Sequence, residues 1–236
     1  MKIQQTQDSK SRHLNVLVYG EPGSGKTTFA GTCIKKFKPI ILSAESGLLS
    51  LRDMGDFDYI KIEKFQDLID AHDYLALKDN PYDTVIIDSL TEIQQECMAH
   101  IIQSKDDEVV ALGDYKLPNI KDWGALGSVM TKTIKYFRNM DKNLIVTALA
   151  DRVTNEETLE TKIQPSLQGK LKDTVAAYFD EVLYLHTRER IKDDKKETVH
   201  VISTENNGKW IAKDRSGKLA SLVKPDFCEI YEAIYG

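Results

Sequence analysis

The sequence predicts an α/β fold: a mostly parallel sheet flanked by helices and finished by an antiparallel hairpin. Three observations predict it. Short apolar runs, LNVLVY (14–19), PIILSA (39–44), DTVIIDS (83–89) and NLIVTALA (143–150), alternate with stretches of helical periodicity. The third run is nearly continuous in apolar residues, as expected of a strand covered on both faces. Near the end, EVLYLHTR and ETVHVISTE flank the charged stretch ERIKDDKK, the pattern of two antiparallel strands and their turn.

Taken in order, residues 1–13 are polar and read as a flexible tail, and 14–236 as one domain, with the hairpin and C-terminal helix from about 181. KTTFAGTCIKKF reads as a helix stopped by Pro39, FQDLIDAHDYLALK as a second, and 91–104 as a third. Residues 105–122 read as a polar connection holding Gly113 and Pro118. A long helix follows to about Met140, with Trp123 opening its core face or free to stack a base. Residues 151–168 are polar, without clear periodicity and long for a connection, so they read as a functional loop. A short helix, the hairpin and the helix PDFCEIYEAIYG complete the chain.

With 236 residues, 41% hydrophobic and 29% charged, the chain is large enough to bury a full core. Its net charge of −5 excludes a generic polyanion binder, so nucleic acid would need a local basic patch. Cys33, Cys97 and Cys228 are odd in number and widely spaced, which argues for buried thiols in a reducing compartment rather than a disulfide framework or zinc site. No apolar run reaches the roughly 18–20 residues of a membrane span, and no signal-peptide core opens the chain. The expected location is cytoplasmic.

The chemistry is concentrated in GEPGSGKTTFA. Gly20, four intervening residues, then Gly25, Lys26 and Thr27 satisfy the phosphate-loop pattern, with an apolar strand before and a helix after. The glycines let the backbone turn its N–H groups inward toward phosphate oxygens. Lys26 would set its ammonium between the β- and γ-phosphates, and Thr27 would offer a hydroxyl to Mg²⁺. Gly20, Glu21, Pro22, Gly23, Ser24, Gly25, Lys26, Thr27 and Thr28 are therefore the expected cradle for ATP. Such a site wants a carboxylate at the end of another buried strand. Asp88, after Val85-Ile86-Ile87, supplies one, although it or Ser89 could equally cap the following helix. Glu45, at the end of the second strand, lies on the ligand-binding edge of such a sheet, either as a base for the attacking water or as a surface glutamate.

Four stretches in order, GEPGSGKTT, ILSAESG, IIDSLT and WIAKDRSG, make residues 14 to 220 resemble a RecA-like P-loop NTPase core. In particular it resembles the compact phage-encoded RecA/RadA-like proteins of single-strand annealing recombination. The resemblance implies that Glu45 activates water. It implies too that the chain is a DNA-stimulated ATPase assembling as a homo-oligomeric ring or filament on single-stranded DNA, in recombination or replication in a bacterial host. A single-strand-binding protein is a candidate partner. The extra terminal domains of full-length recombinases are not expected. The fourth strand, LIVTALADR, has no glutamine where that group often places one, and Thr147 is the nearest polar residue.

In RecA-type filaments the segments matching 105–122 and 151–168 line the DNA channel, which nominates Lys116, Arg152 and Lys162 as contacts and Tyr115 as a stacking residue. In WIAKDRSGK, Lys213 and Arg215 point the same way on an extended segment. Similarity to RecA-like and DnaB-like assemblies implies that the pair reaches a neighbouring subunit's nucleotide. Two other functions fit the same loop. One is a small-molecule kinase, disfavoured by the single arginine in 151–168 and by the hairpin. The other is a binder that uses ATP structurally while annealing DNA.

Overall fold

A computed structural model describes residues 13–45, 47–77, 79–104, 110–112, 115–192 and 195–236. The chain enters through β1 (Asn15–Gly20), turns into α1 (Lys26–Gly31), tightens into a 3₁₀ turn over Thr32–Lys35, and returns as β2 (Pro39–Ser43). Next come β3 (Asp58–Lys61), α2 (Phe65–Ala76), β4 (Thr84–Asp88) and α3 (Leu90–Gln103). A small ribbon of β5 (Val110–Leu112) and β6 (Tyr115–Leu117) leads to α4 (Ile120–Arg138), then β7 (Asn143–Thr154), β8 (Thr161–Pro165) and α5 (Leu171–Thr174). The last third holds β9 (Glu181–Lys192), β10 (Lys195–Ser203), β11 (Lys213–Asp214), β12 (Leu222–Val223) and α6 (Phe227–Tyr235).

Apart from the separate β5–β6 ribbon, the described strands form one sheet in the order β12-β10-β9-β1-β7-β4-β2-β3, with β11 added to β9 and β8 to β7. From β9 to β3 every pair is parallel, and β10, β11 and β12 run antiparallel to their neighbours. The predicted fold class is therefore the observed one. The fully apolar strands require cover on both faces. One face carries α2 to α5, packed through Leu68, Leu75, Ile93, Leu126, Met130 and Phe137; the other carries α1 and α6, through Phe29, Cys33, Phe227 and Ile230. Parallel register brings the carboxyl ends of β1, β2, β4 and β7 to one edge, where such sheets hold ligands.

The structure corrects several expectations. Residues 151–168 are not a structureless loop: β7 runs on to Thr154 and pairs antiparallel with β8, from Ala150↔Pro165 to Thr154↔Thr161. From Asp151 to Thr154 and at Thr161 and Lys162 the side chains are exposed on both faces, and burial begins only at Ile163 and Gln164, so no apolar alternation marks the ladder in sequence. Its turn is built on Asn155, whose Oδ1 accepts the N–H groups of Glu157 at 2.8 Å and Thr158 at 3.1 Å. The 105–122 connection contains the β5–β6 ribbon and the first turn of α4, capped by Asn119 Oδ1, which accepts from Lys121 and Asp122 N–H. The ladder of β9 and β10 extends well into ERIKDDKK, as far as Lys192 and Lys195. The edge strand β3 carries too little apolar sequence to be foreseen.

Trp123 is 38% exposed, because the buried stripe of α4 begins with Leu126 among its apolar residues. Cys33 and Cys97 are buried, whereas Cys228 is half-buried, with Sγ 3.4 Å from the Thr32 carbonyl oxygen. The tail expectation falls on residues outside the described ones, apart from His13, whose carbonyl accepts the Tyr235 hydroxyl at 3.1 Å. Among the described residues no helix is long and apolar enough to cross a membrane.

Candidate functional site

The loop between β1 and α1 has the shape its glycines permit. Gly23 and Gly25 sit at φ 74° and 97°, a backbone region that side chains rarely allow. Gly20 is required for a different reason, since a Cβ there would lie 2.3 Å from the Leu185 carbonyl oxygen and 2.5 Å from Ser24 Oγ. At the start of α1, the Phe29 N–H bonds the Gly25 carbonyl at 2.8 Å. Lys26 is 9% exposed and folds back over the loop, its Nζ donating to the carbonyls of Gly20 and Glu21 at 3.0 Å each. Burial lowers its pKa, and the carboxylates of Glu45, Asp88 and Glu21 pull the other way.

Asp88 ends β4 and is 3% exposed. Such a buried carboxylate needs partners. Its Oδ2 accepts the Thr27 hydroxyl at 2.8 Å, and its Oδ1 accepts the Thr147 hydroxyl from β7. Neither oxygen caps α3. Ser89 stands at the N-cap position, joined to Asp88 by a cis peptide, yet its hydroxyl donates to Glu45 Oε1 instead of capping. Glu45 is further fixed through its main chain, its N–H reaching the Asp88 carbonyl at 3.4 Å and its carbonyl accepting from Ser43 Oγ.

Lys26, Thr27, Asp88 and Glu45, read from four separate positions in the sequence, thus converge at one edge of the sheet. Thr27 and Asp88 fit a magnesium ion, because a hydroxyl and a buried carboxylate already face each other at bonding distance, next to a loop shaped for phosphates. Among the described residues no group of three or more His, Cys, Asp or Glu is gathered that could hold a metal without phosphate oxygens.

The other candidates fall elsewhere. Arg152 is ion-paired through Nε to Glu21 Oε1 at 3.1 Å, which ties the β7–β8 hairpin to the phosphate loop. Lys162 is exposed on β8 opposite Val153, whereas Arg152 lies opposite Ile163, so the two basic side chains project from opposite faces of the hairpin. Lys116 is exposed on β6. The side chain of Tyr115 lies outside the described residues. Lys213 and Arg215 are not near their own phosphate loop. β11 pairs with Val182 and Glu181 at the amino end of β9, the opposite edge of the sheet. There Lys213 Nζ donates to the carbonyls of Ala176 and Phe179, and Arg215 Nη1 pairs with Asp180 Oδ1 at 2.7 Å.

Two residues at the site carry no signal in the sequence. His200 on β10 places Nδ1 2.7 Å from the Ser24 carbonyl oxygen, so that nitrogen is the protonated donor bracing the loop from outside. Tyr19, the residue before Gly20, is fully buried with its hydroxyl bonded to main-chain groups of Ile163 and Ile211. A tyrosine in an apolar run reads as core, and a histidine in a predicted hairpin reads as surface.

A family model described as AAA domain matches residues 12–216. No curated protein matches the chain. Among solved structures it is similar to the P4 protein from bacteriophage phi6 in complex with ADP, with 13% identity over 78% of this chain and 57% of that one, at a TM-score of 0.32. The chain thus spans 57% of that protein's length.

Proposed function

The chain belongs to the AAA domain family, a family of P-loop NTPases, and on that premise we propose that it binds and hydrolyses ATP with magnesium while assembled head-to-tail on single-stranded DNA. The observation that carries the nucleotide reading is the convergence of Lys26, Thr27, Asp88 and Glu45 on one sheet edge. Phosphate oxygens would compete with the Gly20 and Glu21 carbonyls for the Lys26 ammonium, a stronger, charge-assisted bond for the same donor. Thr27 and Asp88 would hold the magnesium, which offsets negative charge on the phosphates. Glu45 is the residue to orient water and take its proton. Ser89 occupies one of its oxygens and so fixes the carboxylate plane.

The finer reading is a RecA/RadA-like phage protein of recombination or replication, working in the host cytoplasm. It rests on the four matching sequence stretches and on two placements. The β7–β8 hairpin extends from β7 beyond the edge that carries the phosphate loop, where it can meet DNA. Lys213 and Arg215 lie at the far edge, where they can serve only a neighbour's nucleotide in a ring or filament.

Steady-state ATP hydrolysis and nucleotide titration, with and without a single-stranded oligonucleotide, test this. The parent should turn over ATP faster with DNA. Lys26→Ala should lose nucleotide binding, and Glu45→Gln should bind ATP but turn over slower by on the order of 10²-fold. Parent-like affinity in Lys26→Ala removes the phosphate-loop assignment, parent-like turnover in Glu45→Gln returns that residue to the surface, and no response to DNA removes the finer reading.

A further inference from the structure

Tyr19 is the penultimate residue of β1, and its ring packs on Tyr184 of β9 with centroids 5.2 Å apart. Its hydroxyl stands at a three-way junction. It lies 2.6 Å from the carbonyl oxygen of Ile211 and 3.2 Å from that of Ile163, and it accepts the Ile211 N–H at 3.0 Å. Ile163 belongs to β8, the returning strand of the hairpin, and Ile211 precedes Lys213 by two residues. These two segments also bond each other, Ile163 N–H to the Lys209 carbonyl at 2.7 Å and Ile211 N–H to the Ile163 carbonyl at 3.1 Å. One phenol therefore joins the strand entering the phosphate loop, the hairpin, and the segment that carries Lys213 and Arg215.

A phenol has one proton, and here two carbonyls lie within its reach. The Ile211 N–H is likewise shared between the phenol oxygen and the Ile163 carbonyl. The same atoms thus have two hydrogen-bonding arrangements separated by little movement, the kind of two-state element through which coupling can travel. Burial holds the phenol well above its ordinary pKa, so it stays a donor.

The other end of this lever is the phosphate loop itself. Gly20 gives its carbonyl to Lys26 and is wedged against the Leu185 carbonyl and Ser24. When phosphates draw the ammonium away, the Gly20 peptide loses a charged partner and has no free space on its Cα side, so the adjustment passes to its neighbour in β1. The Glu21–Arg152 pair is a second, exposed link between the loop and the hairpin.

We propose that Tyr19 is a positioning residue that couples occupancy of the phosphate loop to the order of the β7–β8 hairpin and of the segment from Lys209 to Arg215. This rests on the nucleotide-binding reading above. The test is amide hydrogen exchange over residues 152–165 and 209–216, with and without a non-hydrolysable ATP analogue and magnesium, in the parent and in Tyr19→Phe, with analogue affinity titrated for each. Phenylalanine keeps the ring on Tyr184 and removes only the hydroxyl.

In the parent the analogue should slow exchange in both segments by roughly fivefold or more. In Tyr19→Phe the affinity should stay within about threefold of the parent, while the analogue-dependent slowing disappears. A phenol with a merely structural role would raise exchange equally with and without the analogue, and that result overturns the proposal. So does a parent that binds the analogue without slowing exchange in these segments, a measurement that decides the matter even if the variant is unstable. A parent that binds no analogue overturns the nucleotide reading and this one together.

Discussion

Glu181 opens β9 and is 1% exposed, directly across the ladder from Asp214, with Asp180, Lys213 and Arg215 around the pair. Burial first, and then the charge of Asp214, push its pKa up to about 8. Asp214 keeps its charge: burial works to raise its pKa, and hydrogen bonds from Ser216, Leu219 and Gly217 outweigh that and lower it. The folded chain therefore holds a proton on Glu181 that the unfolded chain releases near pH 4.5. Its contribution to stability falls as pH rises from about 4.5 to about 8 and is level above that. Glu181→Gln has no proton to hold, so its melting temperature should gain several degrees on the parent between pH 5 and pH 8. A difference that stays constant across those pH values would mean that Glu181 does not titrate in this window. Glu181 was not legible in the sequence, because its properties come from β11, which reaches it from the far side of the hairpin. Lys26 and Thr27 were legible because their chemistry is written in consecutive residues. Asp88 and Glu45 could be placed at strand ends, but which oxygen meets Thr147 or Ser89 depends on the crossing of distant strands.

At the scale of elements, the β7–β8 hairpin shows what pattern reading can and cannot see. Strands buried on both faces announce themselves by composition, and so do helices with a packed stripe such as Leu126, Met130, Ile134 and Phe137 of α4. The outer part of this ladder has water on both sides and is held by main-chain bonds and an Asn155 turn, which leave no period in the side chains. The hairpin's two basic residues project from opposite faces, so on the proposed function they would have different duties. Lys162→Glu should weaken a single-stranded oligonucleotide by several-fold at low salt and leave nucleotide affinity unchanged. Arg152→Glu should alter both, since it sets two carboxylates against each other beside the phosphate loop. Equal effects of the two substitutions on nucleotide titration would show that the Glu21–Arg152 contact carries nothing to the loop.

The whole sheet places the phosphate loop at one edge and Lys213 with Arg215 at the other, and in the proposed head-to-tail assembly the two edges of neighbouring subunits would complete one site. Arg215→Ala and Lys26→Ala proteins should each be nearly inactive in ATP hydrolysis, yet their mixture should recover activity, because some interfaces then pair an intact loop with an intact basic residue. A mixture as inactive as its parts, with assembly intact, would confine Arg215 to its bond with Asp180. The strand order has a further consequence, one that belongs to the making of the chain. The first of the described strands, β1, lies in the sheet between β7 and β9, which begin at Asn143 and Glu181. β2, β3 and β4 can pair as soon as they emerge, but β1 must wait as an unpaired apolar segment until β7 and β9 have been synthesised. The order of translation is thus not the order of assembly. The loop that would grip a nucleotide is written before its walls, so a nascent chain can complete that edge of the sheet only after β7 and β9 have been read.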